Sequence, residues 1–263
     1  VTVAALTIAG SDTGAAAGIQ ADLLTFAACG VYGTTAITAL TAQNPGGISG
    51  VHPVPSDFVR AQIDQVLAYY PVRALKTGML ATAAIVDTVA ACLASRPSLP
   101  AVIDPVMVAT SGSLLLDPAA LAALTQGLLP RAALITPNFD EAAVLLGHRP
   151  GVTPAALEAA ALALANAFGV PVLLKGGHVP ADPVVDLLAV PSGILARFSA
   201  PRIHDVDTHG GGCTLSAAIT AHLALGCGLV EAVARAHAGL RRAFANPLVL
   251  SGRKFLNHAA LAG

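Results

Sequence analysis

Short apolar runs alternate with longer stretches whose apolar positions return every three or four residues, nearly from one end of the chain to the other. Strands of a parallel sheet are buried on both faces and read as continuous apolar runs, whereas the helices between them show a single stripe; the alternation therefore predicts βαβ units in an α/β fold with a mostly parallel central sheet. The strand candidates are residues 4–8, 34–40, 74–76, 101–103, 134–136 and 172–175. Helix candidates fall at 19–29, 57–69, 83–94, 118–129, 139–146 and 154–168, with two more at 214–225 and 229–245. Runs 184–189 and 194–199, joined through Pro191-Ser192-Gly193, predict an antiparallel hairpin on one edge of the sheet. No internal repeat, low-complexity tract or long linker interrupts the pattern, so residues 1–263 read as one domain.

In open α/β sheets ligands sit beyond the carboxyl ends of the strands. Those ends carry Gly10-Ser11-Asp12, Gln43-Asn44, Lys76-Thr77-Gly78-Met79, Asp104-Pro105-Val106-Met107, Thr136-Pro137-Asn138 and Lys175-Gly176-Gly177-His178. A further candidate is Asp207-Thr208-His209-Gly210-Gly211-Gly212-Cys213, directly before a helical run. Consecutive glycines let a backbone bring N–H groups close to an anion, and the helix that follows adds a partial positive charge. Cys213 falls on its first turn, where that field is expected to lower the thiol pKa. The bland alternative is a glycine loop with a small buried cysteine.

Composition narrows the classes. Apolar residues are 55% of the chain and the charges are spread rather than blocked, which fits a compact domain with alanine-rich helices. With a formal net charge of -1 there is no basic field for nucleic acid or an anionic membrane surface. The uncharged run 214–230 approaches the shortest membrane span, but it holds His222, Gly226 and Gly228 and begins in the glycine loop, which argues against insertion. The start shows no secretory signal pattern, although the chain opens at Val1 without Met. Cys29, Cys92, Cys213 and Cys227 have neither CxxC spacing nor paired histidines, so reduced thiols in a cytoplasm fit best.

Neither GxGxxG nor a P-loop is present, so a nucleotide site must be built otherwise. Phosphoryl transfer needs donors around the moving group, a cation held by carboxylates, a base on the acceptor and a dry setting. Gly210, Gly211 and Gly212 can supply the donors and Cys213 the base. Asn138 and Glu141 form N-x-x-E at a helix start; the spacing alone favours a capping interaction, and the functional alternative has Glu141 hold a hydrated Mg²⁺. Asp104, fixed by Pro105, is a second Mg²⁺-side candidate or a turn carboxylate. Lys175 can neutralise a polyphosphate or be a solvated strand-end lysine. Gln43, Asp22 and Met79 suit a small aromatic substrate: an amide, a carboxylate for a ring amine or hydroxyl, and an adaptable apolar wall. His209 reads as a turn cap rather than a catalytic group.

Taken in order, Leu6 to Asp12, Ala17 to Asp22, Thr38 to Asn44, Lys76 to Leu80, Asp104 to Met107, Thr136 to Asn138 with Glu141-Ala142, Lys175 to His178, and Thr208 to Gly210 with Gly212 to Ala218 form a specific series of strings. On these strings the chain resembles the hydroxymethylpyrimidine/phosphomethylpyrimidine kinases of thiamine biosynthesis, a branch of the ribokinase-like superfamily that includes pyridoxal kinases. The resemblance implies a three-layer α/β/α fold, ATP with Mg²⁺, and transfer to 4-amino-5-hydroxymethyl-2-methylpyrimidine and then to its monophosphate. It also implies the glycine loop as anion hole, with Cys213 at the acceptor hydroxymethyl. Gln43 would read the pyrimidine, with Gly10, Met79 and Val106 around it, and Thr208, Asn138 and Lys175 would lie on the nucleotide side. A homodimer is implied as well.

Four departures from the family pattern stand out. Gly211 replaces a threonine, Ala15 and Ala16 replace glycines, Thr110 replaces a lysine, and Asn44-Pro45-Gly46-Gly47 replaces an Asn-Thr-x-Gly turn. A lost hydroxyl hydrogen bond to the transition state costs about 1.5–3 kcal/mol, or roughly ten- to a hundredfold in rate, so a slow enzyme is expected. A pyridoxal kinase, or a pyrimidine-binding sensor that has lost efficient catalysis, are the alternatives.

Overall fold

The computed structural model describes residues 2–107 and 118–262; Thr110 therefore lies outside the described residues. Among these, nine strands form one sheet in the order β3-β2-β1-β4-β5-β6-β7-β8-β9. They are β1 (Ala4–Ser11), β2 (Tyr32–Asn44), β3 (Gly47–Pro53), β4 (Val72–Thr77), β5 (Ala101–Ile103), β6 (Leu134–Ile135), β7 (Val172–Leu174), β8 (Val184–Val190) and β9 (Gly193–Ala200). The neighbours from β2 through β7 pair in parallel, and the antiparallel pairs lie at the two edges, β2 with β3 on one side and β7-β8-β9 on the other.

The helices are α1 (Gly18–Ala28), α2 (Ser56–Tyr69), α3 (Ala83–Ala94), α4 (Pro118–Ala123), α5 (Phe139–Leu146), α6 (Pro154–Phe168), α7 (Gly211–Ala224) and α8 (Leu229–Ala245). Side-chain alternation along the strands sorts them into two layers. Leu6, Ile8, Leu75, Ile103, Ile135 and Val172 face the layer of α2 to α6. Their strand neighbours Ala5, Ala74, Val102, Leu134 and Leu173 face α1, α7 and α8. This is the expected three-layer α/β/α arrangement.

The expected hairpin is β8–β9. Three differences from the sequence reading have simple causes. The helix expected over 118–129 is α4 followed by a π turn at Leu124–Leu128 and a 3-10 turn at Leu129–Arg131, where Gly127 and Pro130 interrupt the ladder. Helix α7 starts at Gly211 rather than 214, because Gly210 at φ 81° turns the chain into it. Strand β3 was not expected: every residue of it is exposed and it lacks the alternation of a half-buried strand. Asn44-Pro45-Gly46-Gly47 is the tip between β2 and β3. A small hairpin, β10 (Leu248–Leu250) with β11 (Arg253–Phe255), follows α8. No helix among the described residues is long and apolar enough to cross a membrane.

Candidate active site

The alternation that seats α7 also aims chemistry at its amino end. Two residues after the inward-facing Ala5, Ala74, Val102, Leu134 and Leu173 come Thr7, Lys76, Asp104, Thr136 and Lys175, all projecting from the same face as the strands reach their carboxyl rim. There they meet the first turn of α7. Lys175 Nζ donates to Asp104 Oδ1 at 2.9 Å and Thr136 Oγ1 to the same oxygen at 3.1 Å, while Ser216 Oγ donates to Asp104 Oδ2 at 3.3 Å. Burial disfavours the Asp104 charge, but Lys175 and then Lys76 outweigh it and hold the carboxyl below its ordinary range.

A cavity of about 750 Å³ opens at this rim, within the range of small-molecule sites. Gly210, Gly211, Gly212, Cys213, Thr208, Gly10, Gln43, Met79, Val106, Asp104, Asn138, Glu141 and Lys175 all line it. Gly210 cannot carry a side chain, since a Cβ there would stand 1.7 Å from the Ala16 carbonyl oxygen. The glycine turn is thus interlocked with the β1–α1 loop. On the same loop Asp12 accepts from the N–H groups of Gly14, Ala16 and Ala17 at 2.7, 3.1 and 2.8 Å, and His209 Nε2 lies 3.6 Å from its Oδ2. Burial opposes the Asp12 charge, yet His209 and the Ala17 and Gly14 N–H groups hold the carboxyl at about 2. The same contact raises the His209 pKa, and His209 N donates to Asp207 Oδ1 at 2.9 Å, so a turn role fits it as expected.

Two expectations need correction. Asp22 does not line the cavity: it is wholly buried beneath the floor, where Lys76 Nζ donates to its two oxygens at 2.8 and 2.9 Å and Thr7 Oγ1 donates at 2.6 Å. A carboxylate so committed cannot read a ring substituent. The Cys213 thiol is pushed up rather than down, because burial, with the Asp22 and Asp104 charges, outweighs the Lys76 charge.

Asn138 and Glu141 make a complete capping box on α5: Asn138 Oδ1 accepts from Glu141 N at 2.9 Å and Glu141 Oε2 accepts from Asn138 N at 2.7 Å. Capping does not take Glu141 out of the cavity. Burial pushes its carboxyl up to about 7. Among the described residues no group of three or more His, Cys, Asp or Glu stands together as a metal cage. Asp104 and Glu141, both within electrostatic reach of Lys175, fit only a cation that keeps most of its waters and borrows one or two carboxylates, which describes Mg²⁺ on phosphate rather than Ca²⁺ or Zn²⁺.

The sequence is matched by the family model for phosphomethylpyrimidine kinase over residues 12–256. The chain belongs to the phosphomethylpyrimidine kinase family. As a member of that family it is a phosphotransferase with a ribokinase-like fold. The hydroxymethylpyrimidine/phosphomethylpyrimidine kinase of Rhizobium meliloti is 47% identical over 92% of this chain and 90% of its own. Among solved structures, an ADP complex of Bacillus subtilis pyridoxal kinase superposes with a TM-score of 0.89 at 36% identity, covering 99% of each chain. The phosphomethylpyrimidine kinase of Clostridium difficile gives 0.79 at 36% identity, covering 91% of this chain and 98% of its own.

Against the phosphomethylpyrimidine kinase pattern, the departures acquire a structural setting. A Cβ at Gly211 would stand 3.0 Å from a ring carbon of Phe244, so α8 fills space beside the glycine turn. Ala15 takes a left-handed backbone at φ 59°, which explains why a glycine suits that position. Sequence reasoning missed Lys76, Asp12 and a second end of the cavity built from Asp186, Ile203, His237, Leu240 and Phe244. Asp186 Oδ1 accepts from Gly176 N at 2.8 Å, tying β8 to the loop after Lys175. The advance signal for these side chains was the place of Asp12 and Lys76 at strand ends; the α8 residues read as an ordinary amphipathic helix.

Proposed function

We propose that this cavity transfers the γ-phosphoryl group of ATP to the hydroxymethyl oxygen of 4-amino-5-hydroxymethyl-2-methylpyrimidine, and in a further turnover to the monophosphate so formed. The observation that carries this reading is the meeting of the glycine turn, Cys213 and the Lys175–Asp104 pair at the amino end of α7, in a chain 47% identical to a relative named for that activity. Gln43, Gly10, Met79 and Val106 take the pyrimidine. Lys175, Thr208 and Asn138 meet the phosphates, and Ile203, Leu240 and Phe244 take the nucleoside; that the Bacillus subtilis relative forms an ADP complex supports nucleotide binding by this fold.

In the resting site the Cys213 thiol keeps its proton, as its burial dictates. Cys213 therefore acts as base only after the thiol has given its proton to solvent: the thiolate so formed accepts a hydrogen bond from the acceptor hydroxymethyl and takes its proton as the new P–O bond forms, late in a loose transition state where little proton transfer is needed earlier. The glycine turn and the positive end of α7 face the equatorial oxygens of the moving group, and Lys175 follows its charge. Asp104 and Glu141 would hold a hydrated Mg²⁺, which supplies neutralisation of the phosphate oxygens. The closed floor beneath excludes water that would otherwise compete as acceptor.

Coupled ADP release with the pyrimidine alcohol tests the reading. Cys213→Ala is expected to lose about a hundredfold or more in kcat, and a parental rate in that variant refutes the thiol's assigned role. A pyridoxal kinase is the second reading, favoured by the superposition of 0.89 over 99% of both chains. Rates on the two alcohols measured side by side decide between them. The reading includes a homodimer, which sedimentation equilibrium checks.

A further inference from the structure

We infer that Asp186 and His237 read the ribose of the nucleotide: a sugar hydroxyl lies between them, donating to the carboxylate and accepting from the imidazole. This rests on the cavity being a nucleotide site and deepens that reading. Along β8, Val185 and Leu187 face the layer of α2 to α6, so Asp186 shares with Leu188 the face toward α7 and α8. There it meets His237 on α8. The Asp186 side chain is only 9% exposed and that of His237 16%, and both line the cavity. The two carboxylate oxygens differ. Oδ1 accepts from Gly176 N at 2.8 Å. Oδ2 lies 3.9 Å from His237 Nε2, beyond hydrogen-bond reach, and accepts a hydrogen bond from no described residue. Phe198 packs against the imidazole with ring centroids 5.9 Å apart, which limits its swing.

A buried carboxylate oxygen without a donor is costly, and a gap of 3.9 Å admits one oxygen that bonds to both sides. Facing a carboxylate, the neutral ring carries its proton on Nε2, so the gap asks for a group that donates to one wall and accepts from the other. A hydroxyl does both; an amine has only donors and a carbonyl only an acceptor. Position selects the sugar. The bond to Gly176 N fixes the carboxylate one residue beyond Lys175, which meets the phosphates in the proposed reading. His237, Leu240 and Phe244 follow one another on one face of α8, so the polar pair stands one turn from the apolar wall assigned to the base. Ribose is the part of a nucleotide that joins phosphates to base, and this is the place between their two seats.

The test is calorimetric titration with ATP and its 2′-deoxy and 3′-deoxy analogues, in Mg²⁺ and without the pyrimidine alcohol. The parent is expected to bind ATP about tenfold more tightly than one of the two deoxynucleotides, which identifies the hydroxyl. His237→Phe is expected to bring the two affinities together by weakening ATP and sparing that deoxynucleotide. Asp186→Asn should do the same, since it keeps an oxygen for the Gly176 N–H but offers the hydroxyl a donor where it needs an acceptor. Damage to the pocket would weaken all three nucleotides alike. A parent that binds the three equally, or an H237F variant that keeps the parent's ratio, overturns the inference. Should D186N fail to fold, H237F decides alone. Titration needs no phosphoryl transfer, so a chain that discriminates in this way yet phosphorylates neither alcohol loses the kinase reading and keeps the ribose contact. A chain that phosphorylates without discriminating loses the contact alone, and one that binds no nucleotide loses both.

Discussion

On the β4 side of the cavity floor Lys76 and Asp22 are both sealed from solvent, whereas on the β7 side Lys175 keeps 11% of its side chain exposed while it holds Asp104 at 2.9 Å. The residue types are identical and the two lysines hold equivalent strand-end positions, although Asp22 comes from α1 and Asp104 from the end of β5. What differs is access. A sealed pair has no other partner to take, so removing one member strands a charge in the interior; a pair at the edge of a cavity can share its lysine with an arriving anion. The β4 side is therefore expected to govern stability, and the β7 side, on the proposed reading, turnover.

The strongest challenge to this division is Lys175→Met. It is expected to lower kcat by about three orders of magnitude in coupled ADP release while the urea midpoint falls only modestly, and a variant that instead unfolds would erase the contrast. Next comes Lys76→Met, expected to cost about 3–5 kcal/mol of unfolding free energy in urea titration because Asp22 is left buried and unpaired. A stability equal to the parent's would show the sealed pair to be dispensable.

A smaller effect sharpens the β1–α1 edge of the sealed side. The Asp12 carboxyl lies below its unfolded range, at about 2, so its stabilisation is complete above the unfolded pKa near 3.8 and is lost as pH falls through the folded pKa near 2. Asp12→Asn should cost about 1–2 kcal/mol at neutral pH and progressively less as pH falls through about 2, read as urea midpoints that converge in acid. The smallest expected change is a gain: Ala15→Gly relieves the left-handed backbone at φ 59° and should raise stability by about 0.5–1 kcal/mol, visible as a small rise in Tm with kcat unchanged.

The two sides were unequally legible in the sequence. Strand ends, the glycine turn and the residues around Lys175 announced themselves because each is a local string at a predictable place. The sealed pair did not: Lys76 and Asp22 are 54 residues apart, and only the face on which α1 lies makes one the partner of the other. Asp22 consequently looked like a substrate contact. The sign of the thiol shift was missed for a related reason, since a helix end is visible in sequence and the depth to which it is buried is not. Glu141 is the cap that spacing favoured, and it also lines the cavity, which spacing could not show; its Mg²⁺ role belongs to the proposed function. The fully exposed β3 and the α8 wall carried no distinctive period.

Ala5 and Ala74 on the strands, packed with Ala217 and Ala221 on α7, bring that helix as near to the strands as methyl groups permit. Their size works as a spacer that sets the height of the helix tip above the rim. A larger side chain at any of the four would tilt the tip like a lever about its far end, so residues outside the cavity wall set the depth of the glycine turn.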